Sequence, residues 1–543
     1  MSLKKLKQTK IFFDLTSKKN QKILLFFLFS FSAYCAIVLG KSWDEGPNLF
    51  QGKNTLEYLF SLGKNNNYYW GREYYSGFYW SLQYLLTTIF PSKFQISISH
   101  IINLIFSISA IIGVNQISKE LFNKNVGKII FLVLFFYPVF FGHMPINPKD
   151  TILAFSHVWI TLLAIKYLKK QSYNKNSASN YFLSIGVILA LATGIQLFFL
   201  ASLIPIIFFI LFEIFLFKKI VNKNFDKKIF LLDIIKSFIV FYFLLILFWI
   251  DAHPNILVLP YKIFYAALTN TFATGWPTNL VNGSYYLSHE VPKFYLLINL
   301  IYKSPEYFLI TYILFFVLII KSNLFFKRKF NYFNYKIYFI SFILLYSIFL
   351  VFLVPFPLYD GMRLFLWSIP YFCIIPGLTI YYLFENFNKK IPKITSIFLS
   401  LCVVYFFYNF FTITPYQYTY LNALNGDREN RYQRFENDYW GVSIKELIKR
   451  TNFENNEKFK IATCGVNSSV VNKYLKQKGI FINKFFTPKE SDYLIMTNRV
   501  TFAGENGEYS RNLTNCLDKF KGKNISQVKR NNLILSVVRK IQK

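Results

Sequence analysis

Apolar residues fall into eleven runs near 22–40, 95–117, 128–142, 151–168, 181–195, 197–217, 229–250, 295–320, 337–355, 364–384 and 393–412. A helix needs about 20 apolar residues to cross a bilayer, so the pattern predicts eleven spans. Only Thr193-Gly194-Ile195-Gln196 divides the fifth run from the sixth. Basic residues gather in alternate connections: the Lys-rich start, 119–128, 166–175, 218–228, 321–336 and the stretch around Lys389, Lys390 and Lys393. In the intervening connections acids roughly balance bases. By the positive-inside rule the N-terminus is cytoplasmic, and the odd-numbered loops and the C-terminal tail lie outside.

Between the first two runs, 41–94 is long and aromatic, and 54–62 and 78–90 have the apolar spacing of helices lying in the interface. After residue 412 the pattern shortens. Helices are expected at 442–450 and 468–478, and strands at 460–463, 480–483, 492–497 and 533–538. The fold class is therefore a polytopic α-helical membrane protein with a small C-terminal α/β domain. Its divisions are a basic cytoplasmic segment 1–21, a membrane domain 22–412 and an outer, periplasmic domain 413–543.

Composition agrees with that pattern. Of 543 residues, 54% are hydrophobic and 16% charged, against about 45–50% and 25% in soluble proteins. The formal net charge of +34 would suit nucleic acid, but the basic clusters between apolar runs are explained by membrane orientation, and no nucleic-acid partner is expected. Five Cys are spread without metal-ligand spacing. Cys464 and Cys516 lie in the tail and either pair, if it meets an oxidising compartment, or remain two free thiols.

Single polar residues inside the runs have structural readings. Glu213 and Asp233 are expected to snorkel to the interface, and His100, Asn103 and His157 to find hydrogen-bond partners between helices. The outer turns differ. They contain Lys41-Ser42-Trp43-Asp44-Glu45-Gly46, Gly142-His143-Met144-Pro145-Ile146-Asn147-Pro148-Lys149-Asp150, Asp251-Ala252-His253-Pro254, Lys303-Ser304-Pro305-Glu306 and Tyr359-Asp360-Gly361-Met362-Arg363. Charged residues at the mouth of a helical bundle mark a substrate path; helix capping and interface anchoring are the bland alternatives. A transporter or lipid flippase would instead place ionisable groups near the midplane and show internal repeats, and no repeat is evident.

The order of these motifs resembles the GT-C membrane glycosyltransferases, in the branch of the protein O-mannosyltransferases and the aminoarabinose (ArnT-like) transferases. Asp44 and Glu45 match that family's acidic pair in the first outer loop. The stretch 141–150 and the Tyr359–Arg363 turn match motifs of a bacterial subset, as does the tail from Tyr420-Leu421-Asn422 through Asp438-Tyr439-Trp440-Gly441. Two positions depart: Gln196 and Leu364 stand where related sequences often have Arg and His.

The resemblance implies transfer of a sugar from a polyprenyl-phosphate donor to an acceptor hydroxyl, with inversion, outside a bacterial inner membrane, by a monomer. Such a hydroxyl needs a base to take its proton. Asp44 is the candidate, with Glu45 orienting it or the acceptor. The departing lipid phosphate needs fixed cations: Arg363 offers a fork, Lys149 a point charge, and Lys303 is a third choice. Asp150 and Asp360 would hold those cations or bind sugar hydroxyls, and Asn147 lies in the same motif. His143 is open between phosphate, sugar and metal. A divalent cation, Mg or Mn, is an option, with Asp44, Glu45 and His143 as its ligands.

Overall fold

Prolines decide which apolar runs become unbroken helices. The computed structural model describes residues 18–67, 72–221, 224–269, 275–353, 357–453, 459–503 and 509–541; most of the basic N-terminal segment lies outside them. Up to residue 170 the helices are α1 (Lys18–Val38), α2 (Glu45–Phe60), α3 (Phe78–Thr88), α4 (Gln95–Leu121), α5 (Lys124–Phe135), α6 (Pro138–His143) and α7 (Pro148–Lys170). There follow α8 (Lys175–Ile195), α9 (Phe199–Ser202), α10 (Ile204–Phe212), α11 (Lys227–Leu247), α12 (Val258–Thr269), α13 (Tyr295–Lys303) and α14 (Glu306–Lys321). The bundle ends with α15 (Asn323–Lys329), α16 (Phe333–Leu353), α17 (Ile369–Phe372), α18 (Ile374–Glu385) and α19 (Lys390–Thr412).

Among the described residues seven helices are long and apolar enough to cross a membrane: α1, α4, α7, α8, α11, α16 and α19. An eighth span is counted if α13 and α14, bent by 115°, are taken together. The protein is a multi-pass membrane protein, and seven of the eleven apolar runs are unbroken helices of spanning length in the described residues. Four of the eleven runs are broken, at α5–α6, α9–α10, α13–α14 and α17–α18. Pro138, Pro205, Pro305 and Pro376 lie at or just beyond these breaks.

A proline lacks the N–H that would bond the carbonyl four residues back, and in an apolar medium that carbonyl must find another donor. Each one does. Leu134 accepts from the backbone of Tyr137 (3.1 Å), and Ala201 from the Tyr346 hydroxyl (2.7 Å). Ile301 accepts from the Asn422 amide (2.6 Å), and Phe372 from the Tyr312 hydroxyl (2.7 Å).

Glu213 and Asp233 do not snorkel. Both are buried. Glu213 accepts from Tyr335 (2.5 Å) and the Val221 N–H (2.9 Å), and Asp233 accepts from Tyr167 (3.0 Å). His157 is bonded as expected, with ring nitrogens 2.9 Å from the Tyr371 hydroxyl and 3.1 Å from the Ser202 carbonyl. Asn103 reaches Gln83 and the Pro145 carbonyl.

Beyond α19 the chain forms α20 (Ile444–Arg450), α21 (Ser468–Gln477) and α22 (Cys516–Lys519). The outer-loop hairpin is β1 (Thr278–Val281) with β2 (Ser284–Leu287), and the tail strands are β3 (Ile461–Cys464), β4 (Tyr493–Thr497), β5 (Val500–Ala503), β6 (Tyr509–Asn515), β7 (Gly522–Arg530) and β8 (Leu533–Ile541). The main tail sheet runs β3-β4-β8-β7, parallel between β3 and β4 and antiparallel elsewhere. The strand expected at 480–483 is absent. Instead Gly479, at φ +82°, and Ile480 turn back on α21, their N–H groups bonding Lys476 and Leu475, a helix-ending motif that uses the backbone a strand would need. Cys464 and Cys516 are disulfide-bonded.

The tail also grips the first outer turn. Lys445 Nζ caps the end of α1 at the Ile37, Val38 and Leu39 carbonyls (3.2, 2.9 and 3.3 Å). Lys41 donates its N–H to the Tyr474 hydroxyl at 2.5 Å, 433 residues away.

Candidate active site

Four of the five polar turns meet at one end of the bundle; in the fifth, Asp251 is paired with Arg72 (2.5 Å). Proline and asparagine set the first of them: Asn147 caps α7, its Oδ1 accepting from the Asp150 N–H (3.3 Å) while its Nδ2 donates to Asp150 Oδ2 (2.7 Å). Lys149 follows Pro148 in the first turn, and its Nζ lies 3.4 Å from Asp44 Oδ2 and 5.3 Å from the centre of the Tyr75 ring. Gly142 has no room for a side chain, because a Cβ there would strike the backbone N of Tyr418.

The Tyr359–Arg363 turn needs two left-handed residues in succession, Asp360 at φ +57° and Gly361 at φ +68°, which Asp tolerates and Gly favours. A Cβ on Gly361 would lie 2.6 Å from Lys303 Nζ. This bend turns Asp360 between two arginines: Oδ2 accepts from Arg363 Nη1 (2.8 Å), and Oδ1 from Arg499 Nη2 (2.5 Å). Arg363 Nε is also 3.5 Å from Asp150 Oδ2, and its guanidinium lies over the rings of Tyr359 (4.8 Å) and Trp440 (4.6 Å).

Asp44, Lys149, Asp150, Arg363, Asp360 and Arg499 thus form a network of alternating charge. Burial alone would raise the Asp44 pKa. The positive charges of Lys149, Arg363 and Arg499 outweigh it and hold the carboxyl below its usual range. Asp44 is therefore an anion at neutral pH, and it keeps partial access to solvent.

Beside the network lies a cavity of about 170 Å³. Lys149, Asp150, Arg363, Tyr75 and Tyr359 line its polar side, and Leu153, Leu197, Phe199, Ile263, Leu350 and Trp367 are among its apolar walls. Gln196 and Leu364 also face it.

Other candidates are placed elsewhere. Glu45 turns away from Asp44: its Oε2 accepts from the Ser42 N–H (2.6 Å), and its Oε1 lies 2.8 Å from His100 Nε2. It closes its own turn and ties it to α4. His143 is fully buried, with Nε2 2.8 Å from the Tyr439 hydroxyl and Nδ1 3.3 Å from Asn147. Burial, reinforced by Arg363 and Lys303, pulls its pKa well below the usual imidazole range. A neutral imidazole with both nitrogens engaged is a poor phosphate ligand. Asn147 is likewise spent on capping, and buried Lys303 lies over the Phe435 ring at 5.1 Å, outside the cavity lining. The metal option loses its ligand set: Asp44, Glu45 and His143 each face a different partner. Among the described residues no three His, Cys, Asp or Glu side chains are placed to share an ion.

Sequence reasoning missed Arg499 and Glu436. Glu436 is buried, accepts from the Val500 N–H (2.8 Å), and is pushed up to about 7 by burial and then by Asp360, against the pull of Arg499. Arg499 follows the end of β4 closely, and a charge just past an apolar strand was the signal available for it.

The chain superposes on ArnT from Cupriavidus metallidurans in the apo state with a TM-score of 0.50, at 9% identity, over 96% of this chain and 98% of ArnT. The fold is GT-C. ArnT bound to undecaprenyl phosphate gives a TM-score of 0.49 at 10% identity, over the same shares of the two chains. The apo oligosaccharyltransferase of Archaeoglobus fulgidus gives 0.46 at 12% identity, covering 88% of this chain and 70% of that one. No family model and no curated protein matches the sequence. The charged network lies at turns and helix starts: just before α2, in the first turn of α7, in the turn before α17 and just past β4.

Proposed function

We propose that the protein is a glycosyltransferase that moves a sugar from a polyprenyl-phosphate donor to an acceptor hydroxyl at the outer face of the membrane, with inversion and with Asp44 as base. One observation carries the reading. A cavity with cations at one side and apolar walls elsewhere adjoins a partly accessible carboxylate whose ionised form the same cations stabilise. A lipid-linked phosphate is amphipathic in that same way.

In the reaction the acceptor oxygen attacks the anomeric carbon as its proton passes to Asp44. The bond from that carbon to the phosphate oxygen breaks, and the phosphate leaves with the electron pair. Its growing charge is met by Arg363 and Lys149, which are fixed before the reaction begins by Asp360, Asp150 and Tyr75. Inversion fits a single attacking face: Asp150, the acid that lines the cavity, is held by Asn147 and Arg363 and is not free to act as nucleophile.

Gln196 and Leu364 replace cationic or polar side chains of the resembling family at the cavity wall, which supports a donor or an acceptor different from that family's. The disulfide suits a tail outside the cytoplasm, as does the distribution of Lys and Arg between connections. The test offers purified protein in lipid a panel of polyprenyl-phosphate hexoses and pentoses, with and without acceptor glycans, lipids and peptides. Sugar release by the wild type and not by Asp44→Asn is expected; equal turnover by both removes Asp44 from the base role.

A further inference from the structure

Arg499 comes from the tail, yet it is buried among residues of the membrane bundle and the outer loops. Its guanidinium lies 4.0 Å from the centre of the Trp276 ring and 5.5 Å from that of Trp43, the neighbour of Asp44. Nη1 donates to the Tyr439 carbonyl (2.8 Å) and Nη2 to Asp360 (2.5 Å), while the buried Nε has no partner. A planar fork stacked on indole meets these demands together, and a lysine does not.

The backbone that presents this side chain is held from several directions. The Arg499 carbonyl accepts from the Cys516 N–H (2.9 Å), beside the Cys464–Cys516 disulfide. At Gly465 a Cβ would lie 2.7 Å from that of Arg499. The next residue, Val500, gives its N–H to Glu436 (2.8 Å) and its carbonyl to the Thr278 hydroxyl of β1 (2.9 Å). So much restraint on one residue exceeds what docking a surface requires.

We propose that Arg499 is a positioning residue for the sugar transfer, holding one oxygen of Asp360 so that Arg363 stays open toward the donor phosphate, and fixing Trp43 beside Asp44. The role rests on the transferase reading above. Asp360 now divides its oxygens between two arginines. Without Arg499, both oxygens are free to close a bidentate pair with Arg363, drawing that guanidinium away from the cavity. The Asp44 carboxylate would also lose one of the three positive charges that stabilise its ionised form.

The experiment compares wild type, R499Q and R499K in lipid, measuring kcat, donor KM and the pH dependence of kcat/KM. Arg499 does not line the cavity, but by releasing Arg363 from the donor phosphate R499Q should raise donor KM as well. Its kcat should fall on the order of 10²-fold, the usual consequence of a misplaced catalytic group. Its acid limb should move to higher pH as Asp44 becomes easier to protonate. R499K, which keeps the charge and loses the fork, should restore the limb but not kcat. An active wild type with R499Q at wild-type kcat, or slowed with an unmoved limb, overturns the role alone. A wild type that turns over no polyprenyl-phosphate sugar overturns the transferase reading as well. Should R499Q fail to accumulate, R499K decides: lowered kcat at an unchanged limb supports the role, and wild-type kcat overturns it.

Discussion

At Asp44, three surrounding positive charges win over burial and keep a partly enclosed carboxylate ionised. Replacing it with Asn removes the proposed proton acceptor and should lower kcat by about 10²–10⁴-fold, the range for a positioned general base, with donor binding retained in an equilibrium assay. Glu436 is the opposite case. Its pKa is raised by burial, from 4.5 to about 7, so the folded state binds a proton that the unfolded chain releases at lower pH. Its contribution to stability is complete below about pH 4.5 and is lost as pH rises through about 7. Glu436→Gln should flatten the fall in thermal midpoint across that window. At this scale the sequence was half legible. Asp44, Lys149, Asp150, Asp360 and Arg363 announced themselves as charges in turns, and the structure brings them together. Glu45 and His143 looked equivalent and are not, because their partners, His100 and Tyr439, come from distant segments.

Among the elements, the broken helices are the informative ones. Their prolines were visible in the sequence, but the donors that rescue the freed carbonyls lie up to 145 residues away, so no local pattern distinguished a break from a kink. Asn422 serves two carbonyls at the α13–α14 bend, Ile301 (2.6 Å) and Ser304 (2.8 Å), whereas Tyr346 serves one at α9–α10. An unsatisfied buried polar group costs about 1–3 kcal/mol. Asn422→Leu should therefore lower thermal stability in detergent more than Tyr346→Phe, as measured by loss of monodisperse protein on heating. The tail strands were legible where they were apolar, as in β4 and β8. They were not in β7, whose residues Lys523, Asn524 and Lys529 mark an edge strand with no core-facing alternation.

For the whole molecule, apolar runs pointed to a helical membrane bundle ending in a small strand-containing region, and the fold agrees. The inferred orientation makes a direct prediction. A membrane-impermeant thiol reagent applied to intact cells should label Lys523→Cys in the tail and not Lys327→Cys between α14 and α16; both positions are exposed on the protein. What the sequence did not disclose is how the two parts join, since the joining contacts span nearly the full chain. The turn bearing Asp44 is fastened to Tyr474, 433 residues later, and α1 is capped by Lys445. Seen in the order of synthesis, the Asp44 carboxylate is among the early residues to leave the ribosome and its fastenings among the late ones. A nascent chain with every membrane helix inserted still lacks the anchor for that turn. In the proposed transferase, activity would begin only once the tail has folded back onto that turn.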